Sequence, residues 1–174
     1  TPPQSRIHAL WSLQGLKSLA ADDVLVGLRD AHPRVREQAI ALAEEFRCTG
    51  AVGAVSLDNV FVPDGASCVL DRTRMNGSVV VGRGATLRAT SVSINGNLQA
   101  EGAAFVAVGG YSTVGGSVQI VQGGGASIER ARIKGDLQFE SNNSAIAATA
   151  NIVGGSLQAF QNIGGLTFNN NRMN

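Results

Sequence analysis

The residues able to do chemistry are few and dispersed. Cys48 and Cys68 are the only cysteines and lie 20 residues apart. Both histidines, His8 and His32, precede them, so two thiols without a nearby imidazole do not make a zinc site. The acidic residues beyond 50 are Asp58, Asp64, Asp71, Glu101, Glu129, Asp136 and Glu140. General acid–base catalysis needs two carboxylates that face each other, and these are scattered, with Asp58 and Asp136 nearest to corners. Serines and threonines are plentiful, but no histidine accompanies them to activate a nucleophile. The Gly-rich stretches 82–84 and 123–125 lack the lysine and the strand-to-helix setting of a phosphate loop. No catalytic residue, metal or cofactor is expected.

Composition divides the 174-residue chain near residue 47. Only Gly15 and Gly27 of the 22 glycines precede that point, as does the only tryptophan, Trp11. Residues 1–47 carry helical spacing. A first helix has Ile7, Leu10, Trp11, Leu13 and Leu16, with Gly15 an internal cost of about 1 kcal/mol. A second is expected to start at Asp22 or Asp23 and carries Val24, Leu25 and Leu28. A third starts at Pro33, which suits the first helical position, and presents Val35, Ala39, Leu42, Ala43 and Phe46. The histidines read as surface or capping residues.

Residues 48–174 repeat. Gly77, Gly96, Gly116, Gly135 and Gly155 are spaced 19, 20, 19 and 20, and aligning Gly65 with Gly84 adds a degenerate first coil. Fixed self-similarity at this period means a solenoid. Within each repeat, alternation places Val79 and Val81, Leu98 and Ala100, Val118 and Ile120, and Leu137 and Phe139 inward. Leu87, Ile128 and Phe168 mark a second short strand. Ile94, Val114, Ile133, Val153 and Met173 close each turn before the Asn or Gly corner. The expectation is a mainly β fold: a single-stranded, right-handed parallel β-helix of about six coils of 19–20 residues, behind a short helical segment. Corner glycines are expected to supply left-handed torsions.

Gln99, Gln119, Gln138 and Gln158 share one offset, three residues after the corner glycine. Each lies between inward apolar positions and should point outward, forming an amide ladder or, alternatively, a row that holds glycan or a surface. Arg72, Arg74, Arg130 and Arg132 form two Arg-x-Arg pairs at shared offsets three coils apart, read first as solvated charge and second as a weak basic stripe. The separation of Cys48 and Cys68 equals one coil, within disulfide reach if residue 48 joins the stack. A disulfide implies an oxidising compartment; the alternative is two buried thiols.

Two resemblances add to this. Asp30, Pro33, Val35, Arg36 and Ala39 in RDAHPRVREQAIALAEEF resemble the second half of a HEAT repeat, and RIHALWSLQGL resembles the matching helix of the preceding one. The likeness covers about residues 5–46. It implies partner binding by stacked helices, and that Asp30 and Arg36 bridge neighbouring repeats. Fewer than about three repeats do not bury their own faces, so this segment should pack on the β-segment, another chain or further repeats. The NGNLQ and GGSVQ turns resemble those of uncharacterised secreted bacterial β-solenoid proteins and, more distantly, bactofilins. That implies an extracellular or periplasmic location, polymer formation and no established activity.

A formal charge of +1 gives no overall electrostatic footprint for nucleic acid. No apolar run approaches the ~18 residues of a membrane-spanning helix. The leading expectation is a non-enzymatic structural protein, helix-capped and self-assembling head to tail into a homo-oligomer or filament. Its motive is the last coil, LTFNNNRMN, which has no capping element after it. The alternatives are an extracellular binding module for glycan or protein, a polysaccharide-active enzyme, and an engineered or recombined chimera.

Overall fold

The computed structural model describes residues 1–16, 19, 21–43 and 45–174, with the side chains of residues 21, 22, 43 and 45 outside the description. Among the described residues, three helices, α1 (Pro3–Gly15), α2 (Ala21–Leu28) and α3 (Pro33–Ala43), precede 21 short strands. Pro33 opens α3 as its fixed φ favours. Helix α2 begins at Ala21, ahead of both expected starts; the capping reading of Asp22 and the packing of Ala43 lie outside the described residues. Gly15 is the last residue of α1, so it interrupts no helix interior.

Leu10, Val24, Val35, Ala39 and Leu42 form the buried helical face. Gly27 lets α2 approach closely: a Cβ there would lie 2.8 Å from the Ala39 Cβ. The apolar stripe of α1 is narrower than its sequence suggests. Trp11 and Leu16 are 45% and 74% exposed, and the Trp11 indole N–H donates to Gln38 Oε1 at 2.9 Å. Phe46 is buried, but as part of the first strand, Glu45–Arg47, because α3 stops at Ala43. That strand pairs with Asn59–Val62, so the sheet begins inside the last residues of the helical segment. Buried helix and strand side chains form one continuous core.

The strands assign in strict rotation to three parallel sheets of seven strands each. The six coils expected from the repeat are present, and a shorter coil, 45–57, precedes them. We call the sheet that contains Val79–Val81 sheet A, the sheet of Thr86–Thr90 sheet B, and the sheet of Ser93–Ile94 sheet C. The inward rows are unbroken. On sheet A, Val60, Val79, Leu98, Val118, Leu137 and Leu157 stack in register. On sheet C, Leu57, Met75, Ile94, Val114, Ile133, Val153 and Met173 do the same. On sheet B the second short strand marked by Leu87, Ile128 and Phe168 is present and carries two inward rows, since Leu87 pairs with Val106 and Ile128 with Val108. Phe139 of sheet A reaches Phe168 of sheet B, ring centroids 6.0 Å apart.

The 19/20 spacing has a local cause. Between the sheet B and sheet C strands the chain takes one extra residue at Gly109–Tyr111; between sheets A and B it takes one extra at 141–145 and again at 161–165. Each insertion stays within one corner, so the register of every sheet survives.

The corner glycines correct the sequence expectation. Gly77, Gly96, Gly116, Gly135 and Gly155 do not have positive φ. They are required by close approach. In successive coils Asn59, Ser78, Asn97, Ser117 and Asp136 each accept the backbone N–H of the residue one coil on, Ser78, Asn97, Ser117, Asp136 and Ser156, at 2.7–3.0 Å. Each glycine lies directly against that acceptor: a Cβ on Gly116 would sit 2.0 Å from Asn97 Oδ1, and one on Gly155 would sit 2.3 Å from Asp136 Oδ1.

Gly116→Ala should therefore lose about 2–3 kcal/mol, through overpacking and displacement of the Asn97 cap. Gly53→Ala, where a Cβ meets nothing within 4 Å, should change stability by less than about 0.5 kcal/mol. Urea midpoints of the two variants measure the contrast.

Candidate functional site

The outward row of sheet A is the side-chain array most suited to contact a ligand. It runs Arg47, Phe61, Val80, Gln99, Gln119, Gln138 and Gln158, one residue per coil. The four glutamines form the expected ladder: Gln99 Nε2 donates to Gln119 Oε1 at 3.4 Å, Gln119 to Gln138 at 2.8 Å and Gln138 to Gln158 at 3.4 Å. Beside it lies an open cleft of about 480 Å³, bordered by Asp64, Val80, Arg83, Gln99, Glu101 and Gln119. Arg83 and Glu101 are paired across it at 3.2 Å. Arg47 lies over the Phe61 ring, 5.4 Å from its centroid. Gln119 and Gln138 each use one N–H and one oxygen lone pair on their neighbours and keep the others, while Gln99 only donates and Gln158 only accepts along the ladder. The row can hydrogen-bond hydroxyls; it holds no nucleophile–base pair.

Cys48 and Cys68 are joined in a disulfide, with Cα atoms 5.5 Å apart. The geometry differs from direct stacking. Cys48 follows the first strand of sheet A, where its N–H donates to the Phe61 carbonyl. The residue in register with Cys68 is Gly50, whose carbonyl accepts from Val69. The bond therefore runs diagonally, from the end of a sheet A strand in the first coil to the start of a sheet B strand in the second.

Asp30 and Arg36 do not pair with each other through their side chains. The Asp30 carboxylate accepts from the His32 backbone N–H at 2.8 Å and pairs with Arg6 of α1 at 2.7 Å. Arg36 Nη1 donates to the Asp30 and Ala31 carbonyls of its own turn. Asp30 thus ties the α2–α3 turn to α1, and Arg36 closes the turn. The His32 N–H and the Arg6 guanidinium hold the Asp30 carboxyl below the usual carboxylate range.

The acidic side chains are engaged separately. Asp64 Oδ1 caps the Arg83 N–H, Asp58 accepts from Asn76, Asp71 pairs with Arg72 and Ser127 donates to Glu129. Among the described residues, no three of His, Cys, Asp or Glu lie close enough to share a metal ion, and no helix is long and apolar enough to cross a membrane.

Two features escaped the sequence reading. Left-handed torsions are carried largely by residues other than glycine: Arg72, Ser91, Tyr111, Arg130, Ala150 and Asn170 at the corner between sheets B and C, and Gln122, Ser141 and Gln161 between sheets A and B. Inside the last coils, two asparagine pairs bridge backbone that the corners leave open. Asn142 Nδ2 donates to the Ile120 carbonyl and to Asn162 Oδ1, while its own Oδ1 accepts the Gly123 N–H. Asn151 does the same between Ile128, Asn171 and Ala131. The recurrence of Asn at 142 and 162, and at 151 and 171, is the signal that could have found them.

Asn151→Ala strands the Ala131 N–H and the Ile128 carbonyl in the interior and should cost about 3 kcal/mol. Gln119→Ala, on the outer ladder, should cost no more than about 1 kcal/mol; chemical denaturation compares them. Asp30 has a lowered folded pKa, so its contribution is complete above its ordinary value of 3.8 and is lost as pH falls through the lowered one. The stability gap between the wild type and Asp30→Asn should be constant from neutral pH to about 5 and should close in strong acid, read from urea midpoints across pH.

No known protein-family model, curated protein or solved structure matches the chain.

Proposed function

We propose that this chain is a non-enzymatic structural rod of an oxidising, extracellular compartment, and that its coils assemble end to end. The observation that carries the proposal is the in-register stacking of the coils in three parallel sheets, with the outward glutamines bonded to one another along the axis. Coils of this kind present open strand edges to whatever stacks on them, and stacking of copies that does not close on itself gives a filament. The disulfide supports the compartment. The commitment of Asp64, Asp71 and Asp136 to separate structural partners supports a role without catalysis.

A second reading, a glycan- or protein-binding module, is favoured by the glutamine row and the cleft beside it. A glycan array tests it, with Gln119→Ala as the comparison.

Negative-stain electron microscopy of the non-reduced protein over a concentration series tests the assembly reading. Rods or fibres that grow with concentration are expected. Monodisperse monomers at every concentration would overturn it.

A further inference from the structure

Near-neutral overall charge conceals a segregated surface. The three-sheet arrangement sorts outward side chains by face, and the cations collect on one of them. The outward row of sheet C reads Ser56, Arg74, Ser93, Thr113, Arg132, Ile152 and Arg172. The corner row beside it, where backbone torsions are left-handed, contributes Arg72 and Arg130. Lys134 follows Arg132 on the other side. None of these positions in any coil is acidic except Asp58, which is bonded to Asn76. Carboxylates meet the face at its rims: Asp71 pairs with Arg72 and Glu129 takes a hydrogen bond from Ser127 on the sheet B side, and Asp136, two residues past Lys134, accepts the Ser156 N–H on the sheet A side. Arg74, Arg130, Arg132, Lys134 and Arg172 are exposed.

Three independent features converge on the fifth coil. Arg130, Arg132 and Lys134 all point outward from one coil, Arg132 from the sheet C strand and the other two from the corners on either side of it. A hollow of about 360 Å³ lies among Tyr111, Thr113, Arg130, Arg132 and Ile152, giving hydroxyls, two guanidiniums and an apolar floor. The left-handed corner itself favours Asn or Gly, and coil seven uses Asn170 there, yet coils two and five place arginine at that conformation. Along the rod axis, Arg172 stands two coils from Arg132 and Arg74 three coils away, about 10 and 14 Å.

We propose that the outer face of sheet C binds an acidic polysaccharide that crosses the rod at the fifth coil, with carboxylates on Arg130, Arg132 and Lys134 and one sugar ring in the hollow beside Tyr111. Guanidinium forks match carboxylates in a bidentate manner, and a sugar presents hydroxyls and an apolar face to Thr113, Tyr111 and Ile152. A nucleic acid fits less well. Single strands need a series of aromatic platforms, and Tyr111 is the only aromatic in these rows. The proposal does not depend on end-to-end assembly.

The test uses the disulfide-intact chain and polygalacturonate, with dextran and a single-stranded oligonucleotide as comparison polymers, titrated at low and physiological salt. The variant is Arg130→Asn, Arg132→Ser, Lys134→Asn, in which every new residue already occupies that register position in another coil. A charge-matched control, Arg29→Ser, Arg34→Ser, Arg88→Ser, removes exposed cations from the helical segment and sheet B instead. Arg132→Glu alone serves as a second variant should the triple one unfold at a lower temperature. Expected are salt-sensitive binding of polygalacturonate, a loss of about tenfold in the sheet C variant, little change in the control, and weaker binding of both comparison polymers. Absence of polygalacturonate binding at low salt, an equal loss in the control, or an oligonucleotide or dextran bound as tightly would overturn the proposal.

Discussion

Everything in the solenoid depends on how one coil hands its unpaired backbone to the next. Strands pair continuously, and many corner N–H groups find a carbonyl of the neighbouring coil, but others are met by side chains. Between sheets C and A the acceptor is a short side chain from the coil before: Asn59, then Ser78, Asn97, Ser117 and Asp136. At this position each coil carries a small residue with an oxygen at the right reach, Asn, Ser or Asp. The glycines preceding the next link follow from the same contact, because a Cβ there would collide with the cap. The repeated Gly is thus the shadow of the repeated acceptor.

That relation explains what the sequence disclosed and what it did not. Alternation of Val, Leu and Ile at fixed spacing identified sheets, inward rows and the Gln99–Gln158 ladder, because stacking turns a linear period directly into a spatial neighbour. The role of Gly116 or Gly135 was misread, since spacing reveals a glycine but not whether torsion or proximity demands it. The truly left-handed corners went unseen because Arg72, Tyr111 and Arg130 occupy them, and no side-chain type there advertises the backbone. Trp11 and Phe46 were misplaced for a different reason: helical periodicity does not mark where α3 gives way to a strand, nor how narrow the contact on α1 is. The disulfide was legible from its 20-residue separation, but its diagonal path from sheet A to sheet B was not.

The same sorting governs the surface. A net charge summed along the chain mixes faces that never see one another. Asp64, Glu101 and Glu140 fall on the sheet A side, whereas Arg74, Arg132 and Arg172 fall in one row of sheet C. In a repeat fold the electrostatic character of a site belongs to an offset within the period, and averaging over offsets erases it.

The diagonal disulfide bears on how the stack loses structure. Stacked coils interact only with their neighbours, so loss of structure starts at an end and travels inward. The Cys48–Cys68 bond ties the first coil to the second, and the helices share its core. Loosening of the first coil is thereby opposed by a covalent bond as well as by packing. Reduction of that one bond would leave the first coil held to the second by strand pairing and the shared core alone.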